Sequence, residues 1–500
     1  MAGLAAQFAG VAFAALLAAP AGGLYWKPES AGIWLVGLSF AGIYFLATNR
    51  MRMRGIDLCL GLILVYEFGS LEFSQYAANG VFASRSLAVA VAVFFTVRLT
   101  LRAPLEVAYL SGVLGLGGAA LSLAGMRQFG ANVERLEQVG LTDLVAFRSR
   151  LLIPPAQWVP GEWFTVLLLA LPFAFAAPAY LWWTNRRWGA LFALLAPALI
   201  LATLTLSLSR AVFWSVILFL LVGCALLIWT RIVTVRKGAA PLASTLGALA
   251  LVLAVESAFY PGLAKAYIGR QTSQSRSTEG RIATWQRSLG VVRAHPLWGV
   301  GSSNAPLALL SSADENETTG FASRTFSLPV QVVVEKGIVG LLLNSAFLLL
   351  LAREILLAMA YPWREAAQAG SGDSKTDAQR RRPELPGVRT AERCARNAMN
   401  CCFAAGLVAV LARELVYSSL FEHALTLALV AMLAALLVRP DVVSRPARFF
   451  TTGNPAGTPS PGPPRLKKTP GRPTLSPEGE RGKEVREGCQ EFGRTGSVLV

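Results

Sequence analysis

Arginine is the residue type in this sequence whose placement most suggests chemistry. Arg270, Arg276, Arg281, Arg287 and Arg293 fall within one short stretch, and Arg210 stands between two strongly apolar runs in Leu208-Ser209-Arg210-Ala211-Val212-Phe213. A guanidinium is a planar, permanently charged fork of N–H donors that matches phosphate oxygens two at a time, so such a set suits a phosphate or diphosphate. Two readings of Arg210 stand side by side. A charge at membrane depth costs about 2.5–3.5 kcal/mol and is usually kept for a purpose, or else the side chain snorkels from a helix end to the interface. For the later arginines the ordinary reading is solvated charge on a surface helix. Ile282, Trp285, Leu289 and Val292 recur at helical spacing, which predicts an amphipathic helix lying on a membrane surface and closed by His295-Pro296. A cationic bowl above it would suit a lipid diphosphate.

Other residue types narrow the field. Cys59 and Cys224 sit in apolar runs, and Cys394, Cys401, Cys402 and Cys489 lie late in the chain, so neither a disulfide framework nor a CxxC metal site is available. The segment Gly299-Val300-Gly301-Ser302-Ser303-Asn304 invites a phosphate-loop reading, but no strand precedes it and the reading is rejected. Glu67 interrupts one apolar run and Arg413-Glu414 sits near the end of another. Ion pairing is the favoured reading of both, with a proton site for Glu67 and a cavity wall for Arg413-Glu414 as the alternatives.

The elements that must position these residues are set by composition. Of 500 residues, 54% are hydrophobic and 15% charged, which excludes an ordinary soluble enzyme. The predicted fold class is all-α: a polytopic integral membrane protein of about 12 transmembrane helices at roughly 20 apolar residues each. Candidate spans are 5–25, 31–48, 56–71, 86–97, 105–125, 163–183, 188–208, 211–230, 239–259, 328–352, 397–417 and 419–438. The first lacks a basic flank and is read as a retained span, not a signal peptide. Arg50, Arg52, Arg54, Arg98, Arg102, Arg186, Arg187, Arg231, Arg236 and Lys237 fall in alternate short loops, which puts both termini in the cytoplasm. The transmembrane domain is then 1–440, with extracytoplasmic loops 126–162 and 260–327 and a cytoplasmic loop 353–396. Residues 441–500, rich in Pro, Gly, Ser and basic residues, read as a disordered basic cytoplasmic tail. Most of the net charge of +17 is thereby topological, and nucleic acid is not an expected partner; membrane lipids are.

Several short segments carry a family resemblance. Gly280-Arg281-Ile-Ala-Thr-Trp285 followed by His295-Pro296-Leu297-Trp298-Gly299-Val300-Gly301 resembles a signature of the bacterial O-antigen ligase and O-antigen polymerase superfamily. Leu206-Ser207-Leu208-Ser209-Arg210, Gln331-Val-Val-Val-Glu335-Lys-Gly337-Ile-Val-Gly340 and Tyr417-Ser418-Ser419-Leu420-Phe421-Glu422-His423 are similar to three further elements of it, in order. The resemblance implies a membrane glycosyltransferase at the outer face of the inner membrane. It would move a glycan from a polyprenyl diphosphate carrier to a saccharide or lipid acceptor, with inversion and without a metal or other cofactor. It also implies diphosphate binding by Arg210 and Arg281, with Arg276 and Arg287 beside them. The family's histidine would fall at Phe326, so Glu335 and His423 are the candidates to replace it as general base, while His295 belongs to a turn. The competing function is a lipid-linked oligosaccharide flippase or secondary transporter. Such proteins often show repeated halves and broken helices at the membrane midplane, and no repeat is evident here.

Overall fold

The computed structural model describes residues 54–74, 76–101, 103–140, 160–207, 209–230, 232, 250, 254–256, 258, 276–311, 327–370, 386–415 and 424–437. All of them lie within the compact unit Met1–Asp441. The expected spans at 5–25 and 31–48, most of that at 239–259, Phe326, His423 and the tail lie outside the described residues.

The described residues form α1 (Gly55–Gly69), α2 (Ala77–Thr100), α3 (Pro104–Gln138), α4 (Pro160–Trp183), α5 (Arg187–Ala193) and α6 (Leu195–Leu206). There follow α7 (Arg210–Trp229), α8 (Arg276–Ala294), α9 (Ala305–Leu310), α10 (Leu328–Gly370), α11 (Pro386–Glu414) and α12 (Ala424–Leu437), with no strand among the described residues. Seven helical stretches in this set are long and apolar enough to cross a membrane. The protein is a multi-pass membrane protein, all-helical over the described residues. The expected twelve spans reduce to these seven among the described residues, because α1 and α12 are short and other spans lie outside the set.

Helix boundaries depart from the hydropathy map. α3 runs on to Gln138, through the start of the expected 126–162 loop. Likewise α10 continues to Gly370 and α11 begins at Pro386, so much of the expected 353–396 loop is helical. The cause is physical: apolar content reports lipid contact, whereas a helix continues through polar residues wherever its backbone hydrogen bonds and neighbours support it.

α4 is the central helix, with Trp163, Leu167, Leu169, Leu171 and Phe173 fully buried. Against it α3 runs antiparallel: Gly112, Gly115, Gly118 and Gly125 face Ala177, Ala174, Ala170 and Trp163 in turn. A Cβ at Gly115 would stand 2.8 Å from the Cα of Ala174, so these glycines allow the close backbone approach that drives helix association in lipid. On α4's other side α11 is also antiparallel, with Phe173 and Phe403 ring centroids 5.6 Å apart and Arg413 donating to the Thr165 hydroxyl at 2.5 Å. Leu342, Leu349 and Leu356, seven residues apart on α10, remain exposed along one face, as lipid contact requires.

These pairings sort the buried charges onto two ends of the bundle. At one end Arg54 donates to Glu354 at 2.6 Å and Arg98 pairs with Asp57. At the other, Arg413 pairs with Glu414 at 2.7 Å, and Lys336 pairs with Glu67 at 2.6 Å. The ion-pair reading of Glu67 and of Arg413-Glu414 is the one observed. The second end also carries the α6–α7 turn with Arg210, since Thr203 near the end of α6 bonds the Ser122 carbonyl beside Gly125 and Trp163.

Candidate functional site

α10 starts as a regular helix through Gln331, Glu335 and Lys336. Gly337 then takes φ 59° and ψ −164°, a left-handed value that breaks the helix before it resumes. Such a break frees the carbonyls of Val334, Glu335 and Lys336 and the N–H groups that would have met them, and an unsatisfied backbone group in lipid costs several kcal/mol. The turn after α8 supplies the partners. Val300 N–H donates to the Val334 carbonyl at 3.0 Å and Gly301 N–H to that of Glu335 at 2.9 Å, while Ile338 N–H donates to the Pro296 carbonyl at 2.9 Å and Val339 N–H to that of Leu297 at 3.4 Å. Tyr66 of α1 caps the Lys336 carbonyl with its hydroxyl at 2.5 Å. Break and turn therefore complete each other, which explains why two segments so far apart in sequence carry matching glycines.

Those glycines are sterically required. Gly299 and Gly301 also have positive φ, of 70° and 94°. A Cβ on Gly299 would meet the Glu335 backbone, one on Gly301 the Ser74 hydroxyl, and one on Gly337 the Leu297 carbonyl. Gly337→Ala is therefore expected to lower stability by at least about 2 kcal/mol, combining left-handed strain with displacement of the turn. Gly61→Ala, in an α1 position where a Cβ meets nothing within 4 Å, should leave the melting midpoint in detergent unchanged. Equal midpoints for the two variants would contradict this account of the break.

The turn is held from other directions too. Trp298 is stacked between Tyr66 and Phe73, with centroids 5.7 and 5.2 Å apart. Fully buried Asn304 donates to the Ser74 hydroxyl at 2.7 Å and the Val300 carbonyl at 3.1 Å, and accepts from the Asn79 amide at 3.1 Å. The Glu335 carboxylate, buried, accepts from the Gln331 amide at 3.2 Å and from the Ser303 backbone N–H. His295 caps α8 through its backbone, its N–H bonding Val291 and its carbonyl accepting Gly299 N–H, which is the turn role expected of it. Because the Val300 and Gly301 amides are committed to α10, the turn is not a phosphate loop.

α8 packs on α9 and the first part of α10 with a face of small residues. Thr284, Ser288 and Val291 are buried, and the two hydroxyls bond carbonyls one turn back in their own helix, at 2.8 Å each. Half-buried Arg281 and Arg287 flank that stripe, each with its Nε shielded from solvent. Ile282, Trp285 and Leu289 face away from the protein, 47%, 39% and 58% exposed. Three of the four predicted stripe residues thus share an exposed face, whereas Val292 is partly buried and packs against the cluster of Val291, Val300 and Val334. Arg276 is the first residue of α8.

Arg210 is the first residue of α7 and half-buried. The turn before it is shaped by Ser207, whose hydroxyl donates to the Leu204 carbonyl at 2.6 Å and accepts Ser209 N–H at 3.2 Å. Sequence reasoning missed a neighbour of this turn: Glu256, buried, whose carboxylate oxygens lie 3.0 and 2.9 Å from the Thr205 hydroxyl. Glu256 is the one charged residue of the expected span 239–259, the same mark that singled out Glu67, but its partner, 51 residues away, left no local trace. Among the described residues no group of three or more His, Cys, Asp or Glu side chains stands together as a metal site.

In comparison with known families, residues 165–345 fit the family described as O-Antigen ligase. The matched segment runs from α4 to α10 and contains the Ser209-Arg210, Gly280–Gly301 and Gln331–Gly340 elements. The resemblance to the O-antigen ligase and polymerase superfamily is thereby supported over the part of the chain that holds the arginines and the helix break. No curated protein matches the chain.

Proposed function

We propose, from an O-antigen ligase-type membrane domain over 165–345, that this protein is an inverting, metal-independent glycosyltransferase. It transfers a glycan from a polyprenyl diphosphate carrier to a saccharide or lipid acceptor at the outer face of the bacterial inner membrane, with both termini cytoplasmic. The observation that carries the reading is α8 with its following turn and the α10 break that the turn bonds. There Ile282, Trp285 and Leu289 are exposed along one face of α8, half-buried Arg281 and Arg287 lie on the same helix, and the turn after it is bonded to the break in α10, an arrangement that suits a bilayer and its headgroup layer. A polyprenyl diphosphate has those two parts, a chain for the lipid and a diphosphate for the forks.

In the proposed reaction an acceptor oxygen attacks the anomeric carbon from the face opposite the carrier. The bond to the diphosphate oxygen breaks and the leaving group departs with the electron pair. Arg210 and Arg281, assisted by Arg276 and Arg287, stabilise the charge that develops on it. Of the two candidates for the missing histidine, His423 lies outside the described residues. The Glu335 carboxylate is committed to Gln331 and Ser303, which fits a positioning role.

A broken helix is also a transporter trait, and α10 has one. However, its break lies nine residues after Leu328, near the helix end, and the freed carbonyls of Val334, Glu335 and Lys336 are bonded within the protein, not directed at a substrate path. Deleting the chain from its source organism tests the choice. Transfer predicts loss of mature surface glycan with lipid-linked donor accumulating on the outer leaflet; accumulation confined to the inner leaflet would replace the transferase with a flippase.

A further inference from the structure

Glu256 differs from the other buried carboxylates. Asp57, Glu67, Glu354 and Glu414 each pair with an arginine or lysine, and Glu335 accepts two N–H donors. Glu256 is 5% exposed, and among the described residues its partner is a hydroxyl, that of Thr205, with no cation in ion-pair contact. An uncompensated buried carboxylate is costly, and structural roles are usually filled by paired ones.

The hydrogen-bond arrangement has room for one additional proton. The Thr205 oxygen lies 3.0 and 2.9 Å from the two Glu256 oxygens and 2.7 Å from the Ala202 carbonyl, yet a hydroxyl carries a single hydrogen. With Glu256 ionised, Thr205 donates to the carboxylate. With Glu256 protonated, the carboxyl O–H donates to Thr205, whose own hydrogen turns to the Ala202 carbonyl. Each state keeps a hydrogen bond between the two groups, and passing from one to the other takes the proton and one hydroxyl rotation, without movement of the backbone. Thr205 stands five residues before Arg210, in the last turn of α6, at the end of the bundle that also holds the α10 break.

We propose that Glu256 is the proton acceptor for the attacking hydroxyl, filling the role left vacant at Phe326. This rests on the transferase reading above. As the acceptor oxygen forms its bond to the anomeric carbon, its proton passes to the Glu256 carboxylate, and the sugar–diphosphate bond breaks with its electrons leaving on the diphosphate held by arginine. The step balances with no further reagent, and Thr205 keeps the new carboxyl group hydrogen-bonded.

The test uses the full chain in nanodiscs, with lipid-linked glycan extracted from source-organism cells deleted for it, and the membranes of those cells as acceptor. Glu256→Gln keeps the shape and the ability to accept the Thr205 hydrogen bond but cannot take a proton. It is expected to lower kcat about 100-fold or more with donor KM within about 2-fold. A kcat within about 3-fold of wild type would make Glu256 structural and overturn the proposal. Should that variant fail to accumulate, Thr205→Val decides. It is expected to slow transfer about 10-fold by removing the hydroxyl that bonds Glu256 in both protonation states, and wild-type turnover would overturn the proposal. Absence of transfer by the wild-type chain would instead overturn the transferase reading, so the two failures are distinct.

Discussion

Alanine at Arg210 or at Arg281 is expected to reduce glycan transfer about 10²- to 10³-fold, the usual effect of removing one preorganised group that stabilises developing charge. Each side chain is half-buried at a helix terminus or on a surface helix, not in the core of the bundle. The variant chains should therefore accumulate in the membrane at wild-type levels, and the loss should appear in turnover. Arg281→Lys separates fork geometry from bare charge: lysine supplies a point charge without bidentate donors, so a defect of at least about 10-fold is expected. Quantifying surface polysaccharide in complemented cells, with immunoblots for chain abundance, measures both. Normal polysaccharide from both alanine variants would remove the catalytic arginines from the account.

The largest stability effect is expected at Lys336. Its ammonium is 2.6 Å from the Glu67 carboxylate, both are buried, and the pair joins α1 to α10 one residue before the break. Lys336→Met leaves a buried carboxylate without its counter-charge, which typically costs about 3–5 kcal/mol. Replacing both members, as in Lys336→Met with Glu67→Leu, removes the orphaned charge and should recover most of that loss. Melting midpoints of the purified variants complete the double-mutant cycle. If the single variant melts with the wild type, the pair is not what fixes the break. Because Tyr66 and the 296–301 turn also bond α10 at this level, the single variant should lose transfer activity together with stability.

Much of this was legible in the sequence because it is local. Hydropathy located the seven membrane helices found among the described residues, and the spacing of Ile282, Trp285 and Leu289 gave α8 and its exposed apolar face. The ends of α3, α10 and α11 were not legible, since polar residues continue a helix without leaving an apolar trace. Long-range partnerships were hidden for a different reason. Gly299, Gly301 and Gly337 stood out as motif glycines, but the hydrogen bonds linking the turn to the broken helix join positions more than thirty residues apart and depend on backbone angles that no side chain announces. Glu67 looked like a charge needing a partner, and its partner, Lys336, is 269 residues away. Glu256 carried the same signal, as the one charge in the expected span 239–259, but its meaning comes from a single threonine far away in sequence.

Transfer of a glycan from a lipid diphosphate must release that diphosphate, and its release can be measured. The full chain, reconstituted in nanodiscs, would receive lipid-linked glycan and acceptor membranes from the deleted strain, and free polyprenyl diphosphate would be quantified by mass spectrometry. The expected result is release matched mole for mole by glycan on the acceptor, with both products reduced about 10²- to 10³-fold in the Arg210→Ala chain. Donor left intact by the wild-type chain, or release that Arg210→Ala leaves unchanged, would contradict it.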